Sequence, residues 1–387
     1  MQVFYHYFPT RVVFGDGALN QLFYQKLPGQ KALIVIAADG SMQKHGYLQR
    51  VEKQLELAGL SFAVYDGVMP NPVLSNVCEG AEMARREKCD FVLGLGGGSS
   101  MDTAKATAVM AKNPGDYWDY NQGITGKGQP LPFEPLPIVC VATTAGSGAE
   151  ITPYAVITKE QTFEKTSFGN EDTYPTLSII DPELMTTVSP LQTVCQGFDA
   201  LFHAVESSLN KFNTPIGLMC VLQAVDYLAE YLPRLVSNGS DLEARGKVAL
   251  AGTLAGSVML CTSAHALEHA LSAYHHEVPH GAGLIMLSVA YYKRFAESEK
   301  CQKVLIDLAR RLGCNQASCG LDFVQALKDF EERCGVDKFS MRDYGISRDL
   351  IPAYVKNARQ AMGGLFLGDP EILSDDDCQN IFEESYE

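Results

Sequence analysis

The sequence predicts an α/β protein in two parts, a parallel-sheet domain over residues 1–185 and an all-α domain over 186–387. Three observations carry this reading. Through the first part, short apolar runs rich in Val and Ile alternate with polar stretches at helical spacing, which is the pattern of β-then-α units and a sheet covered on both faces. After Asp181-Pro182 the β-type runs give way to i, i+3, i+4 apolar spacing. At the change stands Ser189-Pro190, a serine cap followed by proline at the first helical position.

Taken in order, KALIVIA (31–37) reads as a strand and 42–58 as a helix. SFAVYDGV (61–68) is a second strand, stopped by Pro70-Asn71-Pro72, with a helix over 74–87. FVLGLGGG (91–98) runs from strand into turn, a helix covers 100–112, and LPIVCVAT (136–143) is a further strand. Residues 154–159 and 177–181 are expected to pair as a hairpin. Helical spacing then covers 190–236, 241–263, 281–297, 300–312 and 317–334. Ser374, followed by Asp375, Asp376 and Asp377, predicts a capped and solvated terminal helix.

Charge and composition exclude several function classes. Lys+Arg 31 against Asp+Glu 46 leaves a formal net charge of −15, with no basic cluster to bind nucleic acid or an anionic membrane surface. Hydrophobic residues at 46% and charged residues at 20% exclude a disordered chain. No apolar run approaches the roughly 18–20 residues that span a bilayer. The start lacks a basic segment followed by an apolar one, so no secretion signal is expected. The 11 cysteines are scattered with no CxxC pair, as expected of reduced, mostly buried thiols in a cytoplasmic protein. Histidine is scarce at 8, yet five of them fall between residues 265 and 280.

The segment Gly96-Gly97-Gly98-Ser99-Ser100-Met101-Asp102 follows a strand and opens a helix. Glycines let a phosphate approach backbone N–H groups, and a helix N-terminus adds partial positive charge. The plainer reading is a tight turn capped by Ser99 with Asp102 as its partner. A second loop, Thr143-Thr144-Ala145-Gly146-Ser147-Gly148, also follows a strand, and two such loops at strand ends make a shared nucleotide crevice the better reading.

In the helical half, Asp199 and His203 lie at i and i+4, one turn apart on one helix face. His265 and His269 repeat that spacing, and His280 follows between Pro279 and Gly281. Asp199, His203, His265 and His280 make a set of three imidazoles and one carboxylate, suited to divalent Fe or Zn. His275 and His276 lie in the intervening loop and are expected to be exposed.

These markers, in this order and over nearly the whole chain, resemble the iron-dependent (group III) alcohol dehydrogenases, a family that includes lactaldehyde reductase, 1,3-propanediol dehydrogenase and butanol dehydrogenases. The resemblance implies a Rossmann-like N-terminal domain, a helical C-terminal domain, and a cleft between them for NAD(P) and one divalent metal. It implies Asp199, His203, His265 and His280 as the ligands of Fe2+, with Zn2+ as the other candidate, and His269 as a proton relay. For the dinucleotide it implies Gly97, Gly98, Ser99, Asp102, Thr143, Thr144, Ser147 and Lys165, with Asn71 in the Pro70-Asn71-Pro72 marker. The implied activity interconverts small alcohols and aldehydes, in a homodimer or larger homo-oligomer.

Three departures stand out. The His265–His280 interval is one residue longer than in lactaldehyde reductase-like members. The Asn-Pro-Arg element near the C-terminus reads Gly368-Asp369-Pro370-Glu371. The cofactor selector after the strand at 31–37 reads Ala37-Ala38-Asp39-Gly40-Ser41, and Asp39 favours NAD(H) over NADP(H) because it would repel a 2′-phosphate. Other readings within the superfamily are a zinc-dependent glycerol dehydrogenase-like enzyme, a metal-free maleylacetate reductase-like one, and a reductase of anionic aldehydes such as succinic semialdehyde or sulfoacetaldehyde. A non-catalytic nucleotide- or metal-binding protein is the reading from another class.

Overall fold

The computed structural model describes residues 3–386. The chain divides into two compact units, Tyr7–Thr187 and the residues from Val188 onward, the latter joined by the described residues up to His6.

The first unit is α/β. Its strands are β1 (Arg11–Phe14), β2 (Lys31–Ala37), β3 (Ser61–Val68), β4 (Phe91–Gly96), β5 (Ile138–Ala142), β6 (Ala155–Lys159), β7 (Glu164–Phe168) and β8 (Leu177–Ile180). Helices α1 (Ser41–Lys44), α2 (Tyr47–Leu57), α3 (Leu74–Arg86) and α4 (Gly98–Lys112) lie among them. Six strands form one sheet in the order β1-β8-β5-β4-β2-β3, with every pairing parallel. Every residue of β4 and β5 is buried, as strands covered on both faces must be. Chain order reverses between β2 and β4, and in such sheets ligands bind beyond the carboxyl ends of the strands at that switch. The glycine turn leaves β4 there, and Asp39 lies two residues beyond the end of β2.

Two expectations need correction. Residues 42–58 are not one helix, because Gly46 adopts φ 74° and separates α1 from α2. The hairpin is β6 with β7, whereas 177–180 form β8 inside the parallel sheet, between β1 and β5. An apolar run such as LSII reads alike in a hairpin or a parallel sheet, so periodicity alone did not separate them.

The second unit is helical: α5 (Pro190–Leu209), α6 (Pro215–Ser237), α7 (Leu242–Gly256), α8 (Ser263–Tyr274), α9 (His280–Ala296), α10 (Gln302–Arg311), α11 (Gly320–Arg333), α12 (Ile351–Met362) and α13 (Asp375–Tyr386). Ser189 caps α5 by accepting from the Gln192 amide at 3.3 Å, and Pro190 takes the first position. The stretch of helical spacing over 190–236 forms two helices, parted at Asn210, whose side chain accepts from the Phe212 amide. Likewise 241–263 ends at α7, and a short segment leads into α8. Ser374 caps α13 by accepting from the Asp377 amide at 3.1 Å. No helix among the described residues is long and apolar enough to cross a membrane.

Candidate functional site

Helix α5 presents Asp199 and His203 one turn apart, and α8 presents His265 and His269 the same way. His280 opens α9. Gly281 lets α9 start close against α5, since a Cβ there would meet Cys195 Cα at 2.8 Å. The three imidazoles converge on one atom. Nε2 of His203, His265 and His280 lies 3.5, 3.6 and 3.5 Å from Asp199 Oδ1. These distances exceed a hydrogen bond but match the spacing of donors around one ion, for bonds of about 2.1 Å in a tetrahedron set ligand atoms roughly 3.4 Å apart.

The burial of these donors points the same way. Asp199, His203 and His265 are buried, and neither Asp199 Oδ1 nor His265 Nε2 has a hydrogen-bond partner. Buried polar atoms are seldom left so unless something else satisfies them, and a divalent cation fits this donor set. Burial alone would raise the Asp199 carboxyl, but His203, His265 and His280 outweigh it and hold the group well below the usual carboxylate range. Of the three converging imidazoles His280 is the most open, its side chain 24% exposed, so a cation here would face solvent on that side.

Two carboxylates that the motif reading passed over orient these ligands. Glu206 takes His265 Nδ1 at 2.5 Å and accepts from the Thr262 amide at 2.6 Å and hydroxyl at 2.9 Å. Glu268 takes His280 Nδ1. Engaging Nδ1 fixes the tautomer and turns Nε2 toward the site. The signal was present in sequence, since His203-Ala-Val-Glu206 and His265-Ala-Leu-Glu268 share one spacing, but the crossed pairing between helices was not. His269 is buried, with its ring centroid 5.3 Å from that of His280. Asp369 accepts from the Ser263 amide and hydroxyl, both at 3.0 Å, and from Tyr291 at 3.2 Å. The altered C-terminal element therefore anchors the N-terminus of α8, where a carboxylate suits the helix dipole.

His275 and His276 are half-buried rather than exposed. His275 Nε2 lies 2.7 Å from Tyr354 Oη, which tucks the loop against α12.

In the α/β unit, the two loops read from sequence adjoin. The Thr143 amide donates to the Gly96 carbonyl at 2.9 Å. Gly96 turns at φ 149°, and a Cβ on Gly97 would lie 3.0 Å from Thr144 Oγ1, on Gly98 3.1 Å from Ser147 Oγ. The backbone at Gly97 and Gly98 carries no Cβ, which is the condition for close approach of a phosphate. Ser99 does not cap α4; Gly97 holds that position with no side-chain cap, and Ser99 lies within the first turn. Asp102 accepts from the Val156 amide at 3.1 Å and faces Lys105 at 3.7 Å. Burial pushes its carboxyl up to about 6, against the pull of Lys105. It thus ties α4 to β6. Lys165 of β7 donates to Asn71 Oδ1 at 3.4 Å, which brings those two together. Asp39 is exposed and accepts from the Ser41 amide and hydroxyl at 2.9 and 2.6 Å.

Comparison with known proteins covers both halves of the chain. Residues 9–182 match the iron-containing alcohol dehydrogenases, and residues 193–386 match the C-terminal part of the Fe-containing alcohol dehydrogenase family. The 1,3-propanediol dehydrogenase of Klebsiella pneumoniae is 34% identical over 92% of this chain and 90% of its own length. The NAD-dependent methanol dehydrogenase of Bacillus methanolicus is 32% identical over 91% and 92%. The crystal structure of an archaeal halo-thermophilic Red Sea brine pool alcohol dehydrogenase superposes with a TM-score of 0.94 at 32% identity, covering 100% of this chain and 99% of that one. This chain belongs to the iron-containing alcohol dehydrogenase family. It is an oxidoreductase of the alcohol–aldehyde class, with iron and NAD(H) as its cofactors.

Proposed function

We propose that the chain interconverts small primary alcohols and aldehydes, with Asp199, His203, His265 and His280 holding one Fe2+, for which Zn2+ competes. The observation that carries this reading is the convergence of three Nε2 atoms on Asp199 Oδ1 at 3.5–3.6 Å. Bound there, the cation supplies Lewis-acid polarisation of the substrate oxygen, and the nicotinamide supplies or accepts hydride.

The chain's own residues do the rest. Glu206 and Glu268 hold His265 and His280 in the tautomer that presents Nε2. His269, one turn beyond His265, moves the proton of the alcohol, directly or through a water it orients. Gly97, Gly98 and Ser99, with Thr143, Thr144 and Ser147, hold the pyrophosphate at the N-terminus of α4. Asn71 and Lys165 act on the cofactor as a pair. Asp102 acts by fixing α4. Asp39 selects NAD(H) over NADP(H) through its charge. Relatives named for propanediol and methanol support a small substrate. We further place the protein in the cytoplasm, in keeping with its free thiols, as a homodimer or larger homo-oligomer.

The test is to strip the protein with a chelator, refill it with Fe2+ or Zn2+, and assay a panel of aldehydes with NADH and NADPH. Activity restored by Fe2+, with NADH preferred, is the expected result. Full activity in the stripped protein would contradict the reading.

A further inference from the structure

Cys261 lies in the segment between α7 and α8, outside every role assigned so far. Asn210 Nδ2 fixes that segment by donating to the Leu260 and Cys261 carbonyls at 3.2 and 3.3 Å. The half-buried Cys261 Sγ and one ring nitrogen each from His203 and His265 lie within 4.8 Å of one another. The two imidazoles stack with centroids 4.6 Å apart. Met259 Sδ lies 3.7 Å from Cys261 Sγ, so a second soft atom adjoins the thiol. Because Glu206 occupies His265 Nδ1, this ring has Nε2 to offer, and that atom is buried without a hydrogen-bond partner. His203 Nδ1 is buried in the same condition.

We propose that Cys261, His203 and His265 form a second, thiolate-bearing metal position for a thiophilic divalent cation such as Zn2+ or Cd2+, overlapping the position centred on Asp199. This rests on the reading of His203 and His265 as metal donors. Ligation breaks the S–H bond, forms a sulfur–metal bond and releases the proton to water, with nothing oxidised or reduced. Thiolate and imidazole favour softer ions, whereas an ion that prefers oxygen stays with the Asp199 carboxylate. His265 has one nitrogen left to give, so the two positions exclude each other and each chain holds one ion. A thiophilic ion therefore competes with iron for the same histidines.

The experiment treats metal-stripped protein with Cd2+, and in parallel with Mn2+. It reads bound metal per chain, sulfur-to-cadmium charge-transfer absorption, and iodoacetamide modification at each cysteine by mass spectrometry. One Cd2+ per chain is expected, with a charge-transfer band that Cys261→Ser loses. Cd2+ should slow modification of Cys261 by about tenfold or more, Mn2+ should not, and exposed Cys78 and Cys319 should be unaffected. The protection measurement uses the unaltered chain, so it stands even if the variant folds poorly. One bound Cd2+ with Cys261 modified at its metal-free rate would overturn this inference and leave the proposed function intact. Retention of neither Cd2+ nor Mn2+ would overturn both.

Discussion

Glu206, on the helix that carries Asp199 and His203, takes Nδ1 of His265 on another helix at 2.5 Å. Glu268, in turn, serves His280 of α9. Each glutamate stands three residues after one histidine and orients a different one, so the helices are locked to each other through the ligands they present.

Glu206→Gln tests that lock. Oε1 faces an imidazole nitrogen and Oε2 faces the Thr262 amide and hydroxyl. Whichever way an amide is turned, its NH2 faces one of these groups in place of an oxygen. Metal affinity should fall about 10–100-fold with helical content unchanged. A chelator-competition titration measures it; unaltered affinity would reduce Glu206 to a packing role.

His269→Ala should lower turnover by about 10²–10⁴-fold while leaving metal content intact, as for a proton-transfer group. Metal analysis beside steady-state kinetics reads both quantities. Loss of metal would make His269 a ligand instead.

At the glycine turn, Gly97→Ala places a methyl 3.0–3.1 Å from Thr144 Oγ1 and Cγ2, on the backbone proposed to receive the pyrophosphate. NADH binding, followed by fluorescence titration, should weaken by about tenfold or more, and metal binding should not change. Equal NADH affinity in the two proteins would remove the pyrophosphate from this turn.

Glu331 gives stability a pH dependence unrelated to the metal. Burial pushes its carboxyl from an ordinary 4.5 up to about 7, against the pull of Ser288, whose Oγ lies 2.7 Å away. Between those values the folded protein binds the extra proton, so stability falls as pH rises through that window and the full penalty applies above pH 7. At 1.36 kcal/mol per unit, that penalty is about 3 kcal/mol. Glu331→Gln, whose amide oxygen can accept from the Ser288 hydroxyl as the carboxyl does, should be more stable than the parent at pH 8 and nearly equal to it at pH 5. Thermal unfolding at both values decides, and a difference independent of pH would contradict the account.

Much of the site was legible in sequence because ligand chemistry writes itself as local spacing. Asp199 with His203, and His265 with His269, are one helical turn apart, and the glycines stand where a strand meets a helix. What stayed hidden is what depends on distant segments meeting. The crossed glutamates, the Asp369 anchor on Ser263 and the approach of Cys261 to His203 all join separate stretches of chain. The misread hairpin has the same origin, since a short buried strand carries no mark of its partner. The bond from the Val156 amide to the Asp102 carboxylate is hidden for the same reason, since it joins α4 to a strand more than fifty residues on.

The most direct test of the central claim is anomalous diffraction at the iron edge from crystals of the Fe2+-loaded protein. The account expects a single strong peak per chain, within bonding distance of Asp199 Oδ1 and of Nε2 of His203, His265 and His280. Iron bound elsewhere, or beyond bonding distance of Asp199, would contradict it.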